Sequence, residues 1–206
     1  MSVVDFALMS APGLSEHYVN LDRRGCATTH NRQTMAPVSQ EVRSMILQGS
    51  CHCRRVTFSV QSPHPYPFNL CYCAICRKTA GAGGYAINLS ARYATLSVEG
   101  GEHIRTYRAT MPDGDGDGTT ESPAERKFCG ECGSQLWLWD PRWPDLMHPH
   151  ASAIDSDLPT TPERVHFMLA SKAGWVEACI RDHDQALDGY PDESIAEWHQ
   201  RRGLER

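Results

Sequence analysis

The sequence has neither an excess of basic residues nor a long hydrophobic run. Its 206 residues include 20 Lys and Arg against 25 Asp and Glu, which gives a formal net charge of -5. Nucleic-acid-binding domains usually carry a basic face, so the composition gives no reason to expect a nucleic-acid partner. No stretch reaches the roughly 20 apolar residues that a membrane-spanning helix needs. Hydrophobic residues still make up 40% of the chain, which is enough for a buried core.

The sequence also lacks the features of a secreted disulfide framework. Such frameworks favour short chains with an even number of cysteines and a signal peptide, whereas this chain has nine cysteines. The partly apolar residues 1–10 are interrupted by Asp5 and follow no basic residue, which makes them a poor secretory signal. We therefore expect a reducing, cytoplasmic setting in which thiolates bind metal.

Three regions of the chain differ in sequence pattern. Residues 1–44 show no sustained period of 2 or 3.6, which favours a disordered extension. A gene model that begins too early is the alternative, since Met35 and Met45 both precede the first cysteine cluster. Residues 45–206 form the expected domain. Within it, residues 111–124 are polar and rich in glycine, and we expect them to be a flexible insertion.

Short β-type runs separated by turn residues dominate from residue 45 onwards. In residues 56–60, apolar and polar side chains alternate as they do in a half-buried strand. Similar runs predict strands at 85–89, 94–98, 104–107, 135–139, 165–169 and 175–178. Helix signals are few, with one near 76–79 and one at 194–199. The pattern predicts a mainly β fold with short helices.

Seven of the nine cysteines fall into three tight clusters, at residues 51–53, 71–76 and 129–132. A closed zinc site takes four thiolates, whereas a catalytic zinc site usually takes three protein ligands and leaves one position open. Seven clustered cysteines therefore suggest one zinc that holds the fold and one zinc that can do chemistry. The other two, Cys26 and Cys179, stand apart and are assigned no role.

The third cluster has the spacing of a zinc knuckle. Two residues separate Cys129 from Cys132, so both sulfurs can reach one metal. Gly130 and Gly133 permit the tight turn with positive φ that this arrangement requires.

The other two clusters are weaker signals on spacing alone. Cys51 and Cys53 flank a single residue, so on an extended strand both sulfurs point to one face and can share a metal. The segment 71–76 offers Cys71, Cys73 and Cys76 as a site closed from one piece of chain. Spacing also allows a ribbon-type site, which would be made of Cys73, Cys76, Cys129 and Cys132.

Four polar residues are candidate ligands or substrate contacts. Arg77 and Lys78 directly follow Cys76, and two cations beside an open zinc would favour thiolates and attract anionic substrates. An exposed basic pair beside a turn is the alternative. His148 and His150 offer imidazole nitrogens that suit zinc, although solvated loop histidines are the commoner case.

Together with their flanking residues, the clusters make the chain resemble the glutathione-dependent formaldehyde-activating enzymes, a family that includes centromere protein V. The segments that carry the resemblance are GSCHC at 49–53, CYCAICRKTAG at 71–81 and FCGECGSQL at 128–136. The resemblance runs from about residue 45 to about residue 155, and it implies zinc-stabilised antiparallel β-sheets. It implies a structural zinc bound by Cys51, Cys53, Cys129 and Cys132. It implies a catalytic zinc bound by Cys71, Cys73 and Cys76.

Two features depart from the family pattern. The acidic glycine-rich loop before Phe128 looks like an insertion. Tyr72 stands between the first two catalytic cysteines, where family members often carry a small polar residue. We therefore expect Tyr72 to alter the substrate pocket.

The resemblance implies a zinc-dependent carbon–sulfur lyase similar to S-(hydroxymethyl)glutathione synthase. Glutathione, as co-substrate, would supply the thiolate that attacks formaldehyde, and Arg77 and Lys78 would hold a carboxylate of the tripeptide. The alternatives are the same zinc site acting on another thiol adduct or metabolic intermediate, and a non-enzymatic zinc scaffold that binds a protein partner. Methionine sulfoxide reduction is disfavoured, because it needs a free nucleophilic cysteine in a pocket.

Overall fold

The computed structural model describes residues 44–113 and 118–204. The expected disordered extension lies outside the described residues except for residue 44, as does the tip of the acidic segment at 114–117. The first strand begins at Met45, where the sequence predicts that the domain begins. Within the described ranges, no helix is long and apolar enough to cross a lipid bilayer.

The described residues form mostly short strands. These are β1 (Met45–Ser50), β2 (Thr57–Ser62), β3 (Phe68–Cys71), β4 (Ala86–Asn88), β5 (Ala91–Arg92), β6 (Ser97–Glu99), β7 (Ile104–Tyr107), β8 (Thr110–Pro112), β9 (Thr119–Glu121), β10 (Glu125–Cys129), β11 (Gln135–Trp139), β12 (Leu146–Pro149), β13 (Arg164–Phe167) and β14 (Gln185–Ala186). The helices are α1 (Ala74–Ala80) and α2 (Ile195–Arg201), with 3-10 turns at Tyr93–Thr95, Gly101–His103, Ala151–Ala153 and Leu169–Ser171. This composition confirms the prediction of a mainly β fold with short helices.

Most strands that the sequence predicts are present, and one is not. The runs at 56–60, 85–89, 104–107, 135–139 and 165–169 overlap β2, β4, β7, β11 and β13. The run at 94–98 is divided between a 3-10 turn and β6. The prediction for 175–178 is wrong, because those residues pair with no strand. Only Val176 is buried there, and Trp175 is 65% exposed. The apolar residues of this run therefore do not pack together on one face of a sheet.

The strands form three sheets and a separate hairpin. The first sheet has the order β1-β2-β6, the second β5-β12-β11-β10-β7, and the third β14-β13-β3-β4. All pairs in the first and second sheets are antiparallel. In the third sheet β13 runs parallel to both β3 and β14, while β4 runs antiparallel to β3.

The main core lies between the first and second sheets. Phe58 of β2 and Trp137 of β11 meet edge to face, with ring centroids 5.1 Å apart. Leu47 of β1 is fully buried in the same cluster. Cys51 and Cys129 also belong to this core, so the two sheets fix the positions of two clustered cysteines.

The third sheet joins the middle of the chain to residues near its end. Cys71 lies at the end of β3, directly opposite Phe167 of β13 in the parallel register. Ala86 of β4 faces Cys71 from the other side. The backbone at Cys71 is therefore held between two strands.

The described part of the acidic segment is a β-hairpin. β8 pairs with β9 from Thr110 opposite Glu121 to Pro112 opposite Thr119. These arms are largely exposed and belong to none of the three sheets. The flexibility that the sequence predicts for residues 111–124 stays a prediction.

Candidate metal centres

The first cluster brings together four sulfurs from two distant turns. The Sγ atoms of Cys51, Cys53, Cys129 and Cys132 all lie within 4.8 Å of one another. The Cys51–Cys53 and Cys53–Cys129 sulfur separations are 3.5 and 3.8 Å. Tetrahedral zinc with Zn–S bonds of about 2.3 Å places its sulfurs about 3.8 Å apart. The four thiols therefore fit a closed zinc site.

Tight turns position the second pair of this cluster. Gly133 has φ +76°, and its N–H donates to the carbonyl of Cys129 at 2.9 Å. The sequence expectation holds for Gly133 but not for Gly130, whose φ is not positive. A side chain at Gly130 would instead come within 2.9 Å of the Arg105 side chain, so close packing explains this glycine.

Hydrogen bonds favour the thiolate form of Cys51 and Cys132, whereas the neighbouring thiols raise the pKa of Cys53 to about 12. The backbone N–H of Val56 donates to Cys51 Sγ at 3.3 Å. The Ser134 hydroxyl lies 3.3 Å from Cys132 Sγ, and hydrogen bonds from Ser134 lower the pKa of Cys132 to about 5. Because metal binding requires thiolates, this environment favours a bound cation.

The second cluster comes from one short segment. The sulfurs of Cys71, Cys73 and Cys76 lie within 4.8 Å of one another. Cys71 ends β3, Cys73 is the N-cap of α1, and Cys76 lies in the first turn of that helix. The N–H of Cys76 donates to Cys73 Sγ at 3.3 Å, which fixes the turn.

Mutual repulsion opposes the ionisation of all three thiols. A hydrogen bond to Cys73 raises the pKa of Cys71, and the same interaction lowers the pKa of Cys73. Three thiolates in a largely buried site repel one another, so full ionisation needs a compensating positive charge. Three sulfur donors suit a zinc ion that keeps one position open. The ribbon-type grouping does not form within the described residues, where the sulfurs group as four and three.

Tyr72 does not line the three-cysteine cluster, contrary to the expectation from the sequence. It is fully buried and packs with Leu70 and Val176 in a separate cluster. Its hydroxyl lies 2.8 Å from Nδ1 of His166, and Nε2 of His166 lies 3.4 Å from Asp184. Because alternate residues of an extended chain point to opposite faces, Tyr72 anchors the segment from behind.

Arg77 and Lys78 lie in the wall of a cavity of about 590 Å³. The cavity lies between the second half of α1 and the turn that carries Cys51, and both segments line it. Arg54 and Asp155 also line it. Cys71, Cys73 and Cys76 are not in its wall, but Arg77 directly follows Cys76 in the chain.

The two histidines belong to neither sulfur cluster. Nδ1 of His148 lies 3.0 Å from the carbonyl of Leu89. His150 is 3% exposed, and neither of its ring nitrogens has a hydrogen-bond partner. Both histidines lie in or beside β12, so the surface loop that the sequence suggests for them is not observed.

Sequence reasoning missed two residues near the three-cysteine cluster. Arg126 of β10 is 7% exposed and interacts electrostatically with Cys76. Tyr190 packs on Phe167 with centroids 5.8 Å apart, and it is 72% exposed at the rim. No local pattern identifies either residue, because β10 begins with three charged residues in succession and its burial does not alternate regularly.

The fold and the two sulfur clusters define a mainly β protein with two candidate metal centres. The family model described as glutathione-dependent formaldehyde-activating enzyme matches residues 46–170. A protein of Halomonas elongata, named as a candidate glutathione-dependent formaldehyde-activating enzyme, is 63% identical over 161 residues, which cover 78% of this chain and 99% of that protein. The chain therefore belongs to the glutathione-dependent formaldehyde-activating enzyme family, and it is an enzyme of the carbon–sulfur lyase type.

One solved structure is also similar. It is a Rhodobacter sphaeroides protein with 24% sequence identity, covering 54% of this chain and 91% of that chain with a TM-score of 0.41.

Proposed function

We propose that this enzyme is zinc-dependent and joins the thiolate of glutathione to formaldehyde, giving S-(hydroxymethyl)glutathione. The observation that carries the proposal is the compact set of Cys71, Cys73 and Cys76, directly followed in the chain by Arg77, which lies in the wall of the cavity. Family membership supports the same reaction class. The four remaining clustered cysteines would hold a second, structural zinc.

The three-cysteine site suits delivery of a thiolate. Zinc held by three thiolates has a net charge of minus one before a fourth ligand binds, so it is a weak Lewis acid that can lower the pKa of a bound thiol. Cys71, Cys73 and Cys76 would hold that ion from one side, which leaves the other side for the substrate. The N–H of Cys76 stabilises the negative charge on the sulfur of Cys73.

The cavity beside α1 complements the charges of glutathione. That tripeptide carries two carboxylates and one ammonium group. Arg54, Arg77 and Lys78 offer three cations, and Asp155 offers one carboxylate. Arginine side chains bind carboxylates through paired N–H donors. We assign the carboxylates of glutathione to this wall, with its thiol directed past Arg77 towards the cysteines.

Arg54 provides a clean test of this assignment. Its φ of +59° lies in the left-handed region, which a glycine adopts without strain. In Arg54→Gly, the relieved strain offsets the added freedom of glycine in the unfolded chain, so the free energy of unfolding should change by less than about 1 kcal/mol. Loss of a charged hydrogen bond should raise KM for glutathione about tenfold. Steady-state kinetics and denaturant unfolding measure the two effects.

Arg55→Gln is the matched control for that variant. Arg55 is exposed and absent from the cavity wall, and its replacement removes the same charge one residue away. Its KM should stay within twofold of the wild-type value. If both variants raise KM equally, the cavity is not the glutathione site.

The reaction itself is tested by exchange NMR with ¹³C-formaldehyde and glutathione. At pH 6 the free thiol, with a pKa of about 8.5, is almost entirely protonated, so spontaneous addition is slow. Zinc-loaded wild-type protein should accelerate the exchange well above the protein-free rate, and Cys76→Ser should not. Equal rates with and without the wild-type protein would refute the proposed substrates and leave another thiol adduct as the alternative.

A further inference from the structure

Three buried polar side chains at the junction of the second and third sheets carry atoms that have no hydrogen-bond partner. Asn88, Arg126 and His150 are 5%, 7% and 3% exposed. The unpartnered atoms are Oδ1 of Asn88, Nη1 of Arg126 and both ring nitrogens of His150. Because buried polar groups are nearly always hydrogen-bonded, these atoms need partners from outside the chain, which water or a ligand supplies.

Strand register places Arg126 and His150 on the same face of the second sheet. Arg126 lies opposite Leu138, and Leu138 lies opposite His148. Residues opposite one another point to the same side, as do residues two apart along a strand. His150 follows His148 by two residues, and it is close enough to Arg126 for their charges to interact.

The same register places Asn88 beside the catalytic cysteines. Asn88 lies opposite Asn69, two residues before Cys71, so Asn88 and Cys71 share a face of the third sheet. An isolated bridge joins the backbones of Asn88 and His150. The guanidinium of Arg126 interacts electrostatically with Cys76. The three polar groups therefore face the three-cysteine cluster.

The charge of Arg126 has no carboxylate partner in the described residues. The adjacent acidic residue, Glu125, forms ion pairs with Lys127 at 2.7 Å and with Arg108 instead. A buried charge is costly unless it is paired. Beside the cysteines, the Cys76 thiolate supplies a negative charge that Arg126 faces. Its Nη1–H has no hydrogen-bond partner, so that donor is available to a substrate oxygen.

We propose that Arg126, with His150 beside it, forms an oxyanion site for the aldehyde oxygen; this inference rests on the proposed function. When the thiolate attacks, its electron pair forms the carbon–sulfur bond and the carbonyl π pair moves onto oxygen. The Nη1–H of Arg126 donates to that developing alkoxide. A proton from solvent, equal to the one that the thiol released on ionising, completes the hydroxymethyl product.

The surroundings favour such a site. Burial, with smaller contributions from His148 and Arg126, lowers the pKa of His150 to about 3. His150 is therefore neutral near pH 7, so it can donate one N–H to the oxygen without adding charge. Preorganised donors in a site shielded from water stabilise a developing charge strongly, and removal of one donor typically costs 10²- to 10³-fold in kcat.

Arg126→Met separates this role from a structural one. The variant keeps the length of the side chain but removes its charge and donors. We expect kcat to fall at least tenfold with KM for glutathione within twofold. Because no carboxylate pairs with Arg126 in the described residues, its replacement should leave the melting temperature equal or higher, and zinc retention against a chelator should not change. A lower melting temperature together with faster zinc loss would instead make Arg126 a counter-ion of the thiolates and overturn the proposal.

Binding of formate tests the site without turnover. Formate is a small planar anion, and isothermal titration into zinc-loaded wild-type protein should detect binding that Arg126→Met weakens at least tenfold. Lys127→Gln, on the opposite face of β10, should bind formate and turn over like the wild type. Undetectable wild-type binding, or equal binding by Arg126→Met, would overturn the oxyanion site. If formate binding depends on Arg126 but formaldehyde exchange is not accelerated, the anion site stands and the proposed substrate fails.

Discussion

Cys132→Ser should unfold the domain, whereas loss of a cysteine from the three-cysteine cluster should not. Cys132 is exposed, so its replacement removes little packing. It does remove one of the four proposed zinc ligands that join the turn after β1 to the turn after β10. Structural zinc contributes roughly 10–16 kcal/mol in small peptides, which is as large as the whole stability of a typical domain, about 5–15 kcal/mol. Circular dichroism and zinc analysis of the purified variant measure the result.

Cys76→Ser is the matched variant for the second cluster. The cysteines of this cluster come from one short segment, so their metal cross-links no distant parts of the chain. The variant should stay folded, bind one zinc where the wild type binds two, and lose formaldehyde exchange. One zinc in the wild type, or an unfolded Cys76→Ser beside a folded Cys132→Ser, would contradict the division into structural and catalytic sites.

Asp184→Asn should destabilise the protein by about 3–5 kcal/mol, the usual cost of breaking a buried ion pair. The Asp184 side chain is fully buried. Arg164 and Arg181 donate to it through backbone and side-chain groups at 2.8–3.0 Å. His166, which holds the Tyr72 hydroxyl, also faces it. Denaturant unfolding of the wild type and the variant measures the loss.

The pH dependence of that loss follows from the pKa of Asp184. Burial alone would raise this pKa, but hydrogen bonds from Arg181 and Arg164 outweigh it and hold the pKa well below its usual value. Stability from a carboxyl with a lowered pKa is fully present above the unfolded pKa of about 3.9 and is lost only as the pH falls below it. The difference between wild type and variant should therefore be the same at pH 8 and pH 6.

Asp182→Asn is the control for this prediction. Asp182 is exposed and lies two residues away, so the same chemical change should alter stability by less than about 0.5 kcal/mol. An equal effect of the two substitutions would show that the buried network at Asp184 does not stabilise the domain.

Much of the candidate site could be predicted from local sequence patterns. The spacing of Cys71, Cys73 and Cys76 lets all three reach one metal, but spacing alone also allowed the ribbon-type pairing of Cys73 and Cys76 with the third cluster. Gly133 is likewise predictable, because the tight turn that ends just after Cys132 needs a residue with positive φ. Spacing could not show that Cys51 and Cys53 lie beside Cys129 and Cys132, since this depends on how the first two sheets pack.

The polar groups around the three-cysteine cluster could not be predicted locally. Arg126 and His150 face the site only because the second sheet packs against the third, and their pairing is set by strand register. From the sequence we expect Tyr72 to line the pocket, because its position between two cysteines is visible but its partner His166 on distant β13 is not. Such contacts join segments far apart in sequence, which no period of 2 or 3.6 reveals.

The parallel pairing of β3 with β13 has a consequence for synthesis. Cys71 and its partner Phe167 are 96 residues apart (167 minus 71). At about 5–20 residues per second, a ribosome needs roughly 5–20 s to make the intervening chain. During that time the edge of β3 that β13 later covers is open. The nascent thiols are then accessible to metal ions and to oxidants, so the order of emergence from the ribosome determines when this centre can first be loaded.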